Sequence, residues 1–412
     1  MVLRLALVLV AALMTGSLLG QEFEIKPVVG FQIWSTLSEG TSFIDPESGT
    51  PVDVDSRLGF QLHRSRLGLK GSVGDRVKFA FIAANDFLGK DFLDGTVGAP
   101  NNTASPRFRL WNAHIDYDLD PNSDLLNLRV GYFVIPISRE SSTSPFNVLA
   151  SEKSWSQNYI RRHMTNNGPG RTAGVSIGGF KVFKENTFAL SYDVGVFNSR
   201  LGDFNTNSAG TQASNVVAGR VTLQFGESES KSYLDGAKQV SFVKRKGLTI
   251  GLSQAVQGDT DFYDGNNLSA VDWLLQWDHF IVTGEWAFLG RNIDDISTTA
   301  RAGFVRGAYV VPLKNDKFFS VALGYTFLNG VTDQLEVAQA NEVLAFSGQD
   351  RYTEATLNYY MTKKSRFTLS HTWRSGSSGD AQPEEINNNY FQQSGFTFMR
   401  PNYLVLGWHF TI

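Results

Sequence analysis

The stretch LLNLRVGYFVIPIS (residues 125–138), followed after a long polar insertion by GRTAGVSIGG (170–179), decides the architecture. Leu126, Leu128, Val130, Tyr132 and Val134 fall on one face of an extended chain and Asn127, Arg129 and Gly131 on the other, the period of two that marks a strand. Between the two strands, residues 136–170 carry Arg139, Glu140, Lys153, Trp155, Tyr159, Arg161, Arg162 and His163. That segment is too long for a hairpin turn, and one of such length is either functional or needs a cavity or partner to hold it. We expect it to fold into the lumen of an outer-membrane β-barrel as a constriction loop, with Lys153, Tyr159, Arg161, Arg162 and His163 at the narrowing.

The same alternation runs outward in both directions. EFEIKPVVGFQIW sets Phe23, Ile25, Val29, Phe31 and Ile33 against Glu24, Lys26, Gln32 and Trp34, and a polar loop from Ser38 to Ser56 follows. GFQLHRSRLGLKG opposes Leu67 and Leu69 to Arg64, Arg66 and Lys70. TFALSYDVGVF and VVAGRVTLQF place Val194, Val196, Val217 and Val221 outward, with Arg220 on the opposite face. AVDWLLQW and IVTGEWAF, joined tightly at Asp278-His279, carry Trp273, Trp277, Trp286 and Phe288 on one side and Asp272 and Glu285 on the other. The chain ends in PNYLVLGWHFTI, where Leu404, Leu406, Trp408, Phe410 and Ile412 share a face. About sixteen such segments are present, an even count within the range of single-chain bacterial barrels.

Long polar connections alternate with tight ones at Gly74-Asp75, Pro121-Asn122-Ser123 and Lys184-Glu185-Asn186, with the charged connection Gly226 to Lys246 as the long exception on the turn side. A soluble sandwich imposes no such rhythm, whereas an up-and-down barrel through a bilayer does, and closure satisfies every backbone group in lipid. Tyr132, Phe188, Trp286, Phe319, Tyr325, Phe367 and Trp373 sit where interfacial aromatic girdles are expected. The fold class is therefore an all-β, transmembrane, antiparallel up-and-down barrel.

Arg4 followed by the apolar run Leu5 to Met14 and small residues reads as a signal peptide over 1–20, leaving 21–412 as the barrel. Losing Arg4 moves the formal charge from -3 to -4, so any anion preference must come from the placement of charge and not from its sum. The absence of cysteine excludes disulfides, thiolate metal sites and a lipoprotein anchor.

At RLGLKG after Arg64-Ser65-Arg66, at LNLRVGYF followed by IPIS, and at GRTAGVSIGG, the chain resembles the phosphate-selective porin O and P family. The resemblance implies a sixteen-stranded homotrimer in the outer membrane of a Gram-negative bacterium, with an inward third loop and basic residues that pass anions. It assigns pore-lining roles to Arg64, Arg66, Arg129 and Arg171; Arg109 and Arg220 join them as strand residues, and Arg161 and Arg162 as loop contacts. Phosphate-specific members use several lysines at the constriction, where this loop offers Lys153 beside Glu140 and Glu152. Partners implied are the lipid bilayer and small anionic solutes, with no cofactor and no nucleic acid.

Other readings stay open. The lumen arginines could instead brace the wall by pairing with Asp116, Asp118, Asp193, Asp272 or Glu285. The barrel could be a general or carbohydrate-admitting porin, or a structural or adhesive barrel with a plugged lumen. Catalysis is disfavoured, because Ser370 and His371 are strand neighbours on opposite faces, and Ser65 with His63 has no placed acid. The six histidines show no metal-ligand spacing.

Overall fold

The computed structural model describes residues 22–99, 101, 108–183, 187–199, 208–233, 237–393 and 395–412. The signal-peptide reading of 1–20 and the turn at 184–186 lie outside the described residues.

Sixteen antiparallel strands form one closed barrel. They are β1 Phe23–Glu39, β2 Arg57–Val73, β3 Val77–Ala84, β4 Arg109–Asp118, β5 Asn127–Val134, β6 Arg171–Phe183, β7 Phe188–Phe197 and β8 Val216–Gly226, followed by β9 Arg245–Gln257, β10 Gly265–Asp278, β11 Phe280–Ile293, β12 Ile296–Pro312, β13 Phe318–Asn329, β14 Gln349–Thr362, β15 Ser365–Ser377 and β16 Asn402–Thr411. Each pairs with the next, and β16 returns to β1 from Gly30 opposite Thr411 to Glu39 opposite Asn402.

The faces are inverted relative to a soluble protein. Leu323, Leu406 and Trp277 are 62%, 58% and 60% exposed on the outside, while Asp272, Glu285 and Thr283 on the inside are fully covered. Alternation makes this possible, since every second side chain shares a face. The region read as a loop over Ser38 to Ser56 differs in detail: β1 runs on to Glu39, and Thr41–Ile44 and Pro51–Val54 join Gln392–Gln393 and Phe396–Met399 in a small four-stranded sheet.

Among the described ladders the register shifts at three places, one of them at Met361 beside the β14–β15 turn. In the β1–β2 ladder Gln32 faces Arg64 and Ile33 faces Leu62, leaving His63 unpaired; in the β3–β4 ladder Ile82 faces Asn112 and Ala83 faces Leu110, leaving Trp111 unpaired. Each extra residue is a β-bulge, which re-aims side chains locally. At the first, His63 and Arg64 are both buried although they are neighbours.

Residues 135–170 contain no strand and pack against inward-facing residues of the barrel. Helix α1, Arg139–Ser142, is capped by Ser138, whose Oγ accepts the Ser141 N–H at 3.1 Å. Helix α2, Ser156–Thr165, packs Tyr159, Ile160 and Met164 into a cluster with Phe133, Ile135, Ile137, Leu268, Leu289 and Leu328. Ile135, Ile137, Leu149 and Ile160 are wholly buried, each contributing about 1.5–3 kcal/mol relative to exposure. Gly170 closes the insertion at φ +64, where a Cβ would collide with the Arg161 side chain.

Candidate functional site: the neck beside the inserted loop

Most polar contacts of the insertion run to the β10–β15 side of the barrel. Ser156 Oγ donates to Glu285 on β11 at 2.6 Å, the Trp155 N–H donates to the Tyr352 hydroxyl on β14 at 2.8 Å, and Asn358 Nδ2 donates to the Leu149 carbonyl at 2.8 Å. Arg366 on β15 donates to the carbonyls of Val148 and Ala150 at 2.5 and 3.0 Å, and Arg291 on β11 to that of His163 at 2.5 Å. Arg306 on β12 holds Glu354 at 2.6 Å and Glu140 of the insertion at 3.6 Å. The free part of the lumen is thus bounded by the insertion and the β2–β8 wall.

Two cavities occupy that space. One of about 570 Å³ reaches the short-turn end beside Val28, Thr411 and Ile412; the other, about 890 Å³, reaches the long-loop end beside Ile44, Gly98 and Pro383. Arg64, Trp111, Gln157 and Arg161 border both and so form the neck between them.

Arg64, Arg66, Arg129, Arg161, Arg171 and Arg220 border the lower cavity, and Arg64, Arg109, Arg161 and Arg162 the upper one. Several are paired. Arg64 meets Glu152 at 2.6 Å, Arg66 and Arg109 share Asp86 at 2.5 and 3.1 Å, Arg129 meets Asp116 at 2.6 Å, and Arg220 forks onto Asp272 at 3.0 and 2.6 Å. Wall bracing and pore lining therefore coexist in the same side chains. Lys153, Arg161 and Arg171 form no ion pair among the described residues. Lys153 and Arg161 both donate to the Ser141 carbonyl, and Arg171 donates to Asn112 Oδ1 at 2.8 Å and the Pro169 carbonyl at 2.7 Å.

Trp111 organises this cluster. The guanidinium carbons of Arg66 and Arg171 each stand 3.8 Å from its ring centroid, and two such groups would overlap on a single face, so the ring is sandwiched. His63, stacked on Trp34 at 3.3 Å, adds a 2.7 Å contact to Glu152 and fixes that carboxylate beside Arg64.

The α2 periodicity separates the loop residues into two sets. Gln157, Asn158, Arg161 and Arg162 border the cavities. Tyr159 and His163, expected at the narrowing, face the opposite way: the Tyr159 hydroxyl donates to Asp350 Oδ2 at 2.5 Å, and His163 Nε2 lies 2.9 Å from the Asn267 carbonyl. Residues four apart on a helix share a face, which sends 157 and 161 to one side and 159 and 163 to the other.

Burial by itself would raise Glu152, but Arg64 and His63 outweigh it and bring its carboxyl down to about 2. Burial lowers Arg161 to about 10, opposed by Glu140 and Glu285, so it stays charged at neutral pH. Burial and the neighbouring Arg161 push Lys153 well below the 10.5 of an ordinary lysine. Lys153 is cationic below its lowered pKa and neutral above it. Raising pH through that range therefore removes a positive charge beside the neck, while Glu152 stays ionised throughout. The permeability of chloride relative to potassium, read as the reversal potential across a salt gradient, is expected to fall with rising pH at values where exposed lysines still hold their protons, and Lys153→Gln is expected to abolish that dependence.

A family model described as phosphate-selective porin O and P matches residues 44–269, over half of the 412-residue chain. The chain belongs to this porin family. No curated protein matches it. Among solved structures, the anion-selective porin from Comamonas acidovorans aligns with TM-score 0.56 at 13% identity, over 95% of this chain and 100% of that one. OprB of Pseudomonas putida aligns with TM-score 0.56 at 11% identity, over 94% and 93% of the two chains. The outer-membrane channel DcaP of Acinetobacter baumannii aligns with TM-score 0.52 at 13% identity, over 95% and 97%. At such identities the likeness is one of fold.

The porin is an outer-membrane β-barrel of Gram-negative type, suited to passive solute diffusion and not to catalysis. Its apolar outer face is the lipid-facing one, its long-loop end extracellular and its short-turn end periplasmic. Leu323→Arg, in the middle of β13, is expected to cost about 2–4 kcal/mol of folding free energy in bilayers. Urea titration in lipid vesicles measures this; Ser320→Thr on the lumen side is the comparison, with a far smaller expected shift.

Proposed function

We propose that this porin is an anion-preferring diffusion channel, with residues 136–170 as its constriction loop and Arg64, Trp111, Gln157 and Arg161 as its selective neck. The observation that carries the reading is the imbalance of charge there. Arg64, Arg66 and Arg109 share the carboxylates of Glu152 and Asp86, whereas Lys153, Arg161 and Arg171 have no acid partner among the described residues. Low-dielectric walls focus the field of such a surplus into the passage, raising local anion concentration and opposing cations. The guanidinium fork matches carboxylate and phosphate geometry, so small oxyanions, phosphate included, are the proposed solutes. The family resemblance supports a trimer as the assembled form.

Reversal potential in planar bilayers under a potassium chloride gradient tests the reading. We expect discrete conductance steps and a potential of the sign set by chloride. A potential set by potassium overturns anion preference, and purified protein that inserts without conducting would favour a plugged, structural barrel.

A further inference from the structure

The connection between β8 and β9, residues 227–244, is the long exception at an end where other connections are tight. Its described parts, 227–233 and 237–244, span the mouth from one wall to the other. On the β4–β7 side, the Tyr233 N–H donates to Asp124 Oδ2 at 2.5 Å and the phenol donates to Asp193. On the β10–β14 side, Val240 and Phe242 pack against Leu149, Leu274, Ile281 and Val310, with the Phe242 ring 4.6 Å from Phe318 and 5.0 Å from Tyr360.

Between these anchors it grips the constriction loop. The Arg139 guanidinium forks onto Glu229 at 3.0 and 2.5 Å and reaches the Lys238 carbonyl at 2.9 Å. The Asn147 carbonyl accepts the N–H groups of Gln239 and Val240 at 3.2 and 3.3 Å. The Gln239 side chain donates to Glu140 and accepts from Arg306 at 3.1 Å. Reversing a chain between adjacent strands needs only a few residues, and each further ordered residue costs about 1–2 kcal/mol of conformational entropy. Here the compensating contacts run to the constriction loop, across the lumen and to Asp124 in the β4–β5 turn. Glu229, Ser230, Tyr233 and Ala237 also border the lower cavity.

We infer that the described segments 227–233 and 237–244 form a strap across the periplasmic mouth, which holds the constriction loop in its narrowed position through the Arg139–Glu229 pair and forms the exit past which solute leaves the neck. Glu229 is a positioning residue, acting on the neck through Arg139. The inference rests on the channel reading above, and its test separates the two.

Full-length protein is recorded in planar bilayers. Glu229→Gln, which leaves the fork half made, is expected to raise mean single-channel conductance about 1.5-fold to twofold and to add open-state fluctuations. Arg139→Glu with Glu229→Arg is expected to restore the parent conductance, a rescue that loss of a merely local contact would not give. The chain has no cysteine, so Ala237→Cys supplies a single thiol. A cationic methanethiosulfonate is expected to cut its current by a third or more, and faster from the periplasmic side. Wild-type protein without pores would refute the channel reading. Wild-type pores accompanied by an unchanged Glu229→Gln, a swap that rescues nothing, or an Ala237→Cys variant insensitive from both sides would refute the strap.

Discussion

On the proposed anion preference, Arg161→Glu is expected to make this porin cation-preferring, with a reversal potential of opposite sign in the same salt gradient. Arg161 borders both cavities and forms no ion pair among the described residues, so its field at the neck is offset only in part, by Glu140 and Glu285. A unit charge about 4 Å from a passing ion contributes about 1 kcal/mol in bulk water and about 4 kcal/mol at an effective dielectric constant near 20, and the neck lies between those limits. Replacing a positive by a negative charge acts twice, and oppositely on the two ions. The permeability ratio should therefore move at least about tenfold, less at high salt where screening shortens the reach. Arg161→Gln should move it part of the way without adding a third carboxylate near Glu140 and Glu285. Arg162→Glu, one residue on but exposed in the wide upper cavity, should do little. Equal effects at 161 and 162 would move the filter away from the neck.

Arg306→Met is expected to give the largest loss of order in the inserted segment 136–170. Arg306 is fully buried and holds Glu354, Glu140, Gln239 and the Glu152 carbonyl together. Removing one partner of a buried ionic network costs about 3–5 kcal/mol, because the remaining charges stay in a low-dielectric setting without compensation. The barrel ladders are untouched, so the loss should fall on the loop: larger, noisier conductance and a lower thermal transition. Adding Glu354→Met should recover much of the stability by removing the stranded carboxylate. Conductance and transition both unchanged in the single variant would show that the loop is held by its apolar contacts alone.

The barrel was legible because its signal is a period of two repeated along the whole chain; the outward Val194, Val217, Trp286 and Leu406 and the inward Asp272 and Glu285 stand where alternation puts them. The neck was legible only in part. Arg64, Arg66, Arg161 and Arg171 were found as basic residues in suggestive places. Trp111 was missed because a bulge brings it beside the arginines it separates, and a bulge has no marker in the residues themselves. Tyr159 and His163 turn away from the neck because Ser156–Thr165 is helical and not irregular loop. The helical pattern was available: Tyr159 with His163 and Ile160 with Met164 are four apart, as are Gln157 with Arg161 and Asn158 with Arg162. The strap was visible only as a connection of unexpected length, since its meaning lies in contacts to residues about 90 positions away, such as Arg139 with Glu229.

The β1–β16 seam carries a kinetic consequence. Its ladder joins residues near 30 to residues near 411, so the last pairing to form has the greatest sequence separation the fold contains. Loop-closure entropy makes such pairings slow. Until the seam zips, two rows of backbone amides and carbonyls lie open, which hydrocarbon does not tolerate and which a neighbouring chain could occupy. A half-made cylinder therefore has no comfortable resting state, and removing β16 should leave aggregates in place of a smaller pore.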